Sequence, residues 1–140
     1  GMSARDVFHE VVKTALKKDG WQITDDPLTI SVGGVNLSID LAAQKLIAAE
    51  RQGQKIAVEV KSFLKQSSAI SEFHTALGQF INYRGALRKV EPDRVLYLAV
   101  PLTTYKTFFQ LDFPKEIIIE NQVKMLVYDV EQEVIFQWIN

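Results

Sequence analysis

The stretch Ile56-Ala57-Val58-Glu59-Val60-Lys61 decides how this chain is read. On a strand, successive side chains point to opposite faces. Ile56, Val58 and Val60 then face a core, while Ala57, Glu59 and Lys61 share the other face. A carboxylate and an ammonium are thus held two residues apart on a strand otherwise too apolar for the surface. Upstream, Ser38-Ile39-Asp40-Leu41 reads as a second strand, with Ile39 and Leu41 on one face and Asp40 on the other, alongside Ser38 and Ala42. A hairpin of Leu46–Arg51 and Lys55–Phe63 around Gln52-Gly53-Gln54 follows, so Asp40 is expected beside Glu59, with Lys61 just beyond. Neighbouring carboxylates repel unless a cation bridges them. A divalent metal fits that need, and the backbone carbonyl of Val60 adds an oxygen. Such an ion acidifies water and binds phosphate oxygens, and Lys61 can orient the water or stabilise developing charge. The same residues also fit a buried or edge ion pair, Glu59 with Lys61 or Asp40 with a lysine.

Composition narrows the chemistry. Hydrophobic residues make up 47% of the 140 residues and charged residues 24%, which is ordinary for one globular domain spanning 1–140 and excludes a disordered or collagen-like chain. Gly1 before Met2 reads as an expression scar. With no cysteine there is no disulfide, thiolate metal site or cysteine nucleophile, and two histidines are too few for an all-histidine zinc site. Any metal is expected on oxygen ligands, which suits Mg2+ or Mn2+. Sixteen Lys and Arg against seventeen Asp and Glu leave a net charge of −1, without the global basic signature of a sequence-independent nucleic-acid binder. No apolar run is long enough to span a membrane, and no secretory signal precedes the first helix, so a cytoplasmic protein is expected.

Around these strands the pattern predicts a helix over Ala4–Asp19, with Ser3 as its N-cap and Gly20 as its stop. A short strand Trp21–Thr24 comes next. Strands Leu28–Val32 and Val35–Leu41 flank Gly33-Gly34, a two-residue hairpin turn rather than a phosphate cradle. Ser67-Ser68 opens a long helix, Ala69–Lys89, whose apolar stripe is read as Ile70, Phe73, Leu77, Phe80, Ile81 and Leu87. Arg94–Val100 is an apolar strand buried on both faces. Short helices are expected at Thr104–Leu111 and Lys115–Glu120. A last hairpin, Val123–Asp129 with Val134–Ile139, turns at Glu131-Gln132-Glu133. The order gives a mixed β-sheet flanked by helices, an α/β fold.

Asp40, with Glu59-Val60-Lys61 nineteen positions on, resembles the PD-(D/E)xK nuclease motif, with Ile39 where the motif has proline. Glu10 on the first helix matches the glutamate that completes the metal site in many of these nucleases. Gln79-Phe80-Ile81-Asn82-Tyr83 resembles the Q-x-x-x-Y motif of the RecB-like branch. Gln79 and Tyr83 lie four apart on one helix face, turned away from the stripe. A closer resemblance covers nearly the whole chain. Ile39-Asp40-Leu41-Ala42-Ala43, Ala57-Val58-Glu59-Val60-Lys61-Ser62-Phe63, Ala76-Leu77-Gly78-Gln79-Phe80 and Tyr83-Arg84 are similar to XisH, a cyanobacterial family of fdxN element excision controlling factors. It implies a restriction-endonuclease-like fold, DNA as partner, and a role in programmed DNA rearrangement with a site-specific recombinase and other excision factors.

The resemblance implies Mg2+ or Mn2+ on Glu10, Asp40, Glu59 and Val60. It also implies catalytic roles for Asp40, Glu59, Lys61, Gln79 and Tyr83 in phosphodiester hydrolysis. The alternative is a non-catalytic DNA-associated regulator or recombinase partner, which the near-neutral charge favours. Several residues have plainer readings. Glu10 also fits an ion pair with Lys13 or Lys17, and Gln79 with Tyr83 a solvated helix face. Arg84, Arg88 and Lys89 fit either a phosphate-binding patch or a solvated helix end. His74 is read as packed near the stripe and His9 as surface. Ile117–Ile119 and the last hairpin are read as core or homodimer contact.

Overall fold

Ser3 accepts the backbone N–H of Asp6 and caps the first helix, α1 (Ala4–Lys18), as its place before a helical apolar repeat predicts. The computed structural model describes residues 3–46, 53–64 and 68–140. After α1 come β1 (Gln22–Asp25), β2 (Leu28–Val32), β3 (Val35–Ile39), β4 (Leu41–Lys45) and β5 (Gln54–Val60). The second half holds α2 (Ala69–Val90), β6 (Arg94–Pro101), α3 (Leu102–Lys106), a 3₁₀ turn (Phe108–Gln110), α4 (Asp112–Glu120), β7 (Met125–Asp129) and β8 (Val134–Ile139). Among the described residues no helix is long and apolar enough to cross a membrane.

Six strands form one mixed sheet in the order β1-β4-β5-β6-β7-β8. The pairs β5–β6 and β6–β7 are parallel, and the outer pairs are antiparallel. Parallel neighbours need long crossovers, which α2 and the α3–α4 segment supply. Central β6 is buried from Leu96 to Pro101, as an apolar run covered on both faces should be. β2 and β3 form a separate two-stranded sheet. Their turn holds Gly33 and Gly34 at φ +55° and +87°, a backbone that other residues rarely adopt.

The sheet separates two cores. On one face α1 packs Val12 and Leu16 against Leu41, Val58 and Tyr128. On the other, α2, α4 and the small sheet bury Phe73, Phe80, Ile118 and Ile39 against Ala57, Leu98 and Val100. Phe63, Phe73, Phe108 and Phe109 pack there with ring centroids 5.2–6.1 Å apart, most of them edge to face.

Three expectations are corrected. The first arm of the second hairpin is β4, not Leu46–Arg51. Lys45 already pairs with Gln54, and Leu46 is exposed outside the strand. The rest of that expected arm and Gln52, like Ser67, lie outside the described residues. Gly53 closes this arm tightly, since a Cβ there would sit 2.4 Å from the Lys45 carbonyl oxygen. Next, α2 buries Phe73, Ala76, Phe80, Ala86 and Leu87, whereas Ile70 and Ile81 are 38% and 43% exposed. The buried stripe runs through a small residue, Ala76, and is rotated from the expected one. His74, read as packed, is exposed for the same reason. Finally, Thr104–Leu111 is not one helix but α3 and the 3₁₀ turn, separated by Thr107.

The rotated stripe makes a direct prediction. Phe73→Ala should lower the unfolding free energy in urea by ~3–5 kcal/mol. Ile70→Ala should cost less than ~1 kcal/mol. Equal losses would return the buried stripe to Ile70.

Candidate functional site

The site forms where one strand leaves the main sheet. β4 pairs with β5 in the register Leu41 opposite Val58 and Ala42 opposite Ala57. One further step would set Asp40 opposite Glu59, and a second would set Ile39 opposite Val60. The chain takes neither step. Ile39 belongs to β3, pairs with Leu28 in the small sheet, and sits in the α2-side core, while Leu41 sits in the α1-side core. The expectation that Ile39 and Leu41 share a face is thus corrected, because the chain changes sheets at Asp40. The departure leaves the Val60 N–H without a strand partner on that side, and a buried unpaired donor costs ~1–3 kcal/mol. The Asp40 carboxylate supplies the acceptor, since Val60 N–H donates to Asp40 Oδ2 at 2.8 Å. In return the Asp40 N–H donates to Glu59 Oε1 at 3.2 Å. Each carboxylate is held by a backbone donor of the other's segment.

In an extended strand a residue's N–H and C=O point to the same side. The Val60 carbonyl therefore faces the Asp40 side, and Lys61 N–H instead bonds Ala99 O on β6 at 2.9 Å. Lys61 Nζ lies 3.6 Å from Glu59 Oε2, with both side chains largely buried. Glu59 is only 3% exposed. Burial first, and then the Asp40 charge, push its carboxyl up to about 7, against the pull of the Lys61 ammonium. Tyr128 OH, fully buried, donates to the Lys61 carbonyl at 2.7 Å and fixes the strand end from the α1 side. Burial, then the Glu72 charge, raise that phenol above its ordinary range.

Lys61 and Val60 open onto a cleft of about 300 Å³ whose other walls are Phe8, Ser62, Glu72, Thr75 and Gln79. The Gln79 Oε1 is buried there with no hydrogen-bond partner among the described residues. Glu72 accepts the Phe63 N–H at 3.1 Å and holds Phe63, whose φ is +50°. Tyr83 does not stand on a solvated face but packs against the α2-side core, because the buried stripe of α2 runs beside it. Sequence reasoning missed Glu72 and Tyr128. Glu72 carries only the signal of an acid in a helix's first turn, and Tyr128 reads as an ordinary core strand residue.

The geometry brings together Asp40, Glu59, Val60 and Lys61, and places Gln79 on the same cleft. It does not bring Glu10 to them. Among the described residues the one group of three or more potential ligands within reach of one ion is His9, Glu10 and Asp26. Two of its members are already tied into local contacts, Asp26 most of all. Asp26 meets His9 Nε2 at 2.7 Å and Lys13 Nζ at 2.8 Å, and Lys13 lies 3.8 Å from Glu10. Burial would raise the Asp26 carboxyl, but the bonds from Lys13 and His9 outweigh it and hold it below its ordinary value. Arg84 is likewise a strut, donating to the Asn121 and Gln122 carbonyls at 2.8 and 3.1 Å.

The sequence profile of the XisH protein family matches residues 2–136. The chain belongs to the XisH family. Two solved structures are similar along its length. One, a fdxN element excision controlling factor from Anabaena variabilis, is 93% identical with a TM-score of 0.89, covering 97% of this chain and 100% of that one. The other, an XisH family protein from Nostoc punctiforme PCC 73102, is 81% identical with a TM-score of 0.88, covering 96% and 100%. Nothing matches among curated proteins.

In this XisH-family chain the buried Glu59 makes stability depend on pH with a definite sign. Its folded-state pKa lies above the unfolded value of about 4.5, so the folded state binds more protons between pH 4.5 and about 7. Stability therefore falls as pH rises through that window. Denaturation of wild type at pH 5 and pH 8 should differ by up to about 3 kcal/mol from this group alone. Glu59→Gln should flatten the difference, and an unchanged slope in the variant would refute the assignment.

Proposed function

We propose that this chain is an excision controlling factor with a PD-(D/E)xK, restriction-endonuclease-like fold, hydrolysing DNA phosphodiester bonds with Mg2+ or Mn2+. The observation that carries this reading is the reciprocal clasp that holds Asp40 and Glu59 side by side. The donor set fits such an ion. It consists of hard oxygens, two carboxylates and the Val60 carbonyl, with an excess of negative charge that the Lys61 ammonium only partly offsets. When bound, the cation supplies Lewis acidity toward the phosphate and a more acidic water.

The chain's own residues do the rest. Asp40 and Glu59 hold the ion, and Glu10 is left out of the set because its carboxylate lies beside His9 and Asp26, 3.8 Å from Lys13. Lys61 orients the attacking water and offsets the charge that grows on the phosphate. Hydrolysis forms one P–O bond from water and breaks another, leaving a phosphate monoester and a free hydroxyl. Gln79 Oε1, a buried acceptor with no partner among the described residues, receives a hydrogen bond from the nucleic acid at the cleft. Tyr83 buttresses α2 behind it. A site-specific recombinase and other excision factors are the proposed protein partners.

One observation favours the second reading, a non-catalytic DNA-associated regulator. The cleft offers one cation, Lys61, and one anion, Glu72, so bare DNA finds little attraction there.

Supercoiled, linear and branched DNA incubated with the chain and Mn2+ should be cut, and Lys61→Ala should lose at least ~100-fold in rate. Equal cutting by that variant would overturn the catalytic reading. Calorimetric Mn2+ affinity should rise ~10-fold per pH unit up to about pH 7, where Glu59 has released its proton, and then level off. Asp40→Asn should abolish binding. Binding without cleavage would favour the regulator.

A further inference from the structure

A half-open groove of about 550 Å³ lies at the opposite end of the strands from the candidate site, where α2 and α4 end and β6 begins. Its floor is apolar, built from Leu87, Leu96, Ile118 and Val123, and it opens past Val95 and Ile119, the latter 70% exposed. The polar side chains on its wall are unbalanced. Arg84, Arg88, Arg94 and Lys124 line it, and no aspartate or glutamate does, in a chain whose net charge is −1.

Two of these cations are already committed. Arg84 donates to the Asn121 and Gln122 carbonyls and lies over the Phe80 ring, 5.1 Å from its centroid. Arg94 pairs with Glu91 and donates to Ile56 O at 3.0 Å. Arg88 and Lys124 form no ion pair among the described residues. Arg88 also sits one helical turn after Arg84, and like charges at that spacing oppose each other. Burial, and then the Arg88 charge, lower the pKa of the Arg84 guanidinium. An anion at this wall would relieve that repulsion, and the apolar floor would take the body attached to it. The groove's volume is within the range of a small-molecule site.

We propose that this groove binds a small apolar carboxylate, with Arg88 and Lys124 meeting the anionic group and Leu87, Ile118 and Ile119 the hydrocarbon. The inference stands independently of the nuclease reading. Decanoate is a suitable probe, with decanol and decyltrimethylammonium as neutral and cationic controls. Calorimetry should show decanoate saturating a single site, and amide NMR shifts should cluster at Leu87–Arg94 and Ile118–Lys124. Arg88→Glu and Ile119→Asp, both replacing exposed side chains, should keep the fold by circular dichroism and weaken decanoate at least ~10-fold. Equal binding of decanol or decyltrimethylammonium would overturn the proposal, as would undiminished binding by Arg88→Glu or shifts confined elsewhere. Binding of acidic peptides but not decanoate would overturn it in favour of a protein partner.

Discussion

Everything at the candidate site depends on one unpaired backbone donor. Where the chain passes from the small sheet into β4 at Asp40, the edge of β5 is left without a partner over its last two residues. The Val60 N–H is then left inside the protein with nothing to donate to, and a buried orphan of that kind is rarely tolerated. A side-chain acceptor at the crossing residue removes the problem, and aspartate is short enough to reach the next strand. Once Asp40 is there, its own N–H takes a Glu59 oxygen. A fold constraint and a charge constraint thus become the same pair of hydrogen bonds.

The pair is electrostatically expensive on its own. Two carboxylates are held close together, one of them almost wholly buried, and one nearby ammonium does not cancel both. The cost shows in the raised Glu59 carboxyl. A site built only for stability would do as well with an uncharged acceptor at position 59, since the Asp40 N–H needs only a lone pair. Retaining a charge there makes physical sense where a cation arrives to use it. Tyr128 and Glu72 brace the same strand end from outside. They hold the Lys61 carbonyl and the Phe63 N–H, so the strand end that presents Lys61 is fixed on both sides.

Much of this was legible in the amino-acid sequence, and the failures have specific causes. Alternation over Ile56–Lys61 placed Glu59 on the face opposite Ile56 and Val58, and the turn glycines and the helix caps at Ser3 and Ser68 were read from local chemistry alone. Period-two reasoning then failed at Asp40 because it assumes one continuous strand, whereas a sheet change flips Ile39 relative to Leu41 without any glycine or proline to mark it. The α2 stripe failed because large apolar residues occur on two overlapping faces of that helix. The deciding buried position, Ala76, is a small residue that hydropathy weights lightly. Glu10 failed because a position along a helix says nothing of its neighbours across space, and Asp26 from a distant turn intervened.

The charge layout constrains how such a site would meet DNA. Affinity for a duplex comes mostly from cations facing phosphates, and this cleft has Lys61 with Glu72 beside it. Four cations gather instead on the groove at the other end of the strands, and two of those are tied to backbone carbonyls. A protein arranged this way gains little from long-range attraction, so its encounter with DNA through the cleft would be weak and only mildly sensitive to salt. For a carboxylate pair that can hold an ion, weak encounter has a use. Hydrolysis would then depend on another component to bring the phosphate to the cleft, and the chain alone would spare DNA it meets at random. In such an arrangement a nuclease-like centre and a controlling role would be compatible, because control would lie in delivery and not in the chemistry.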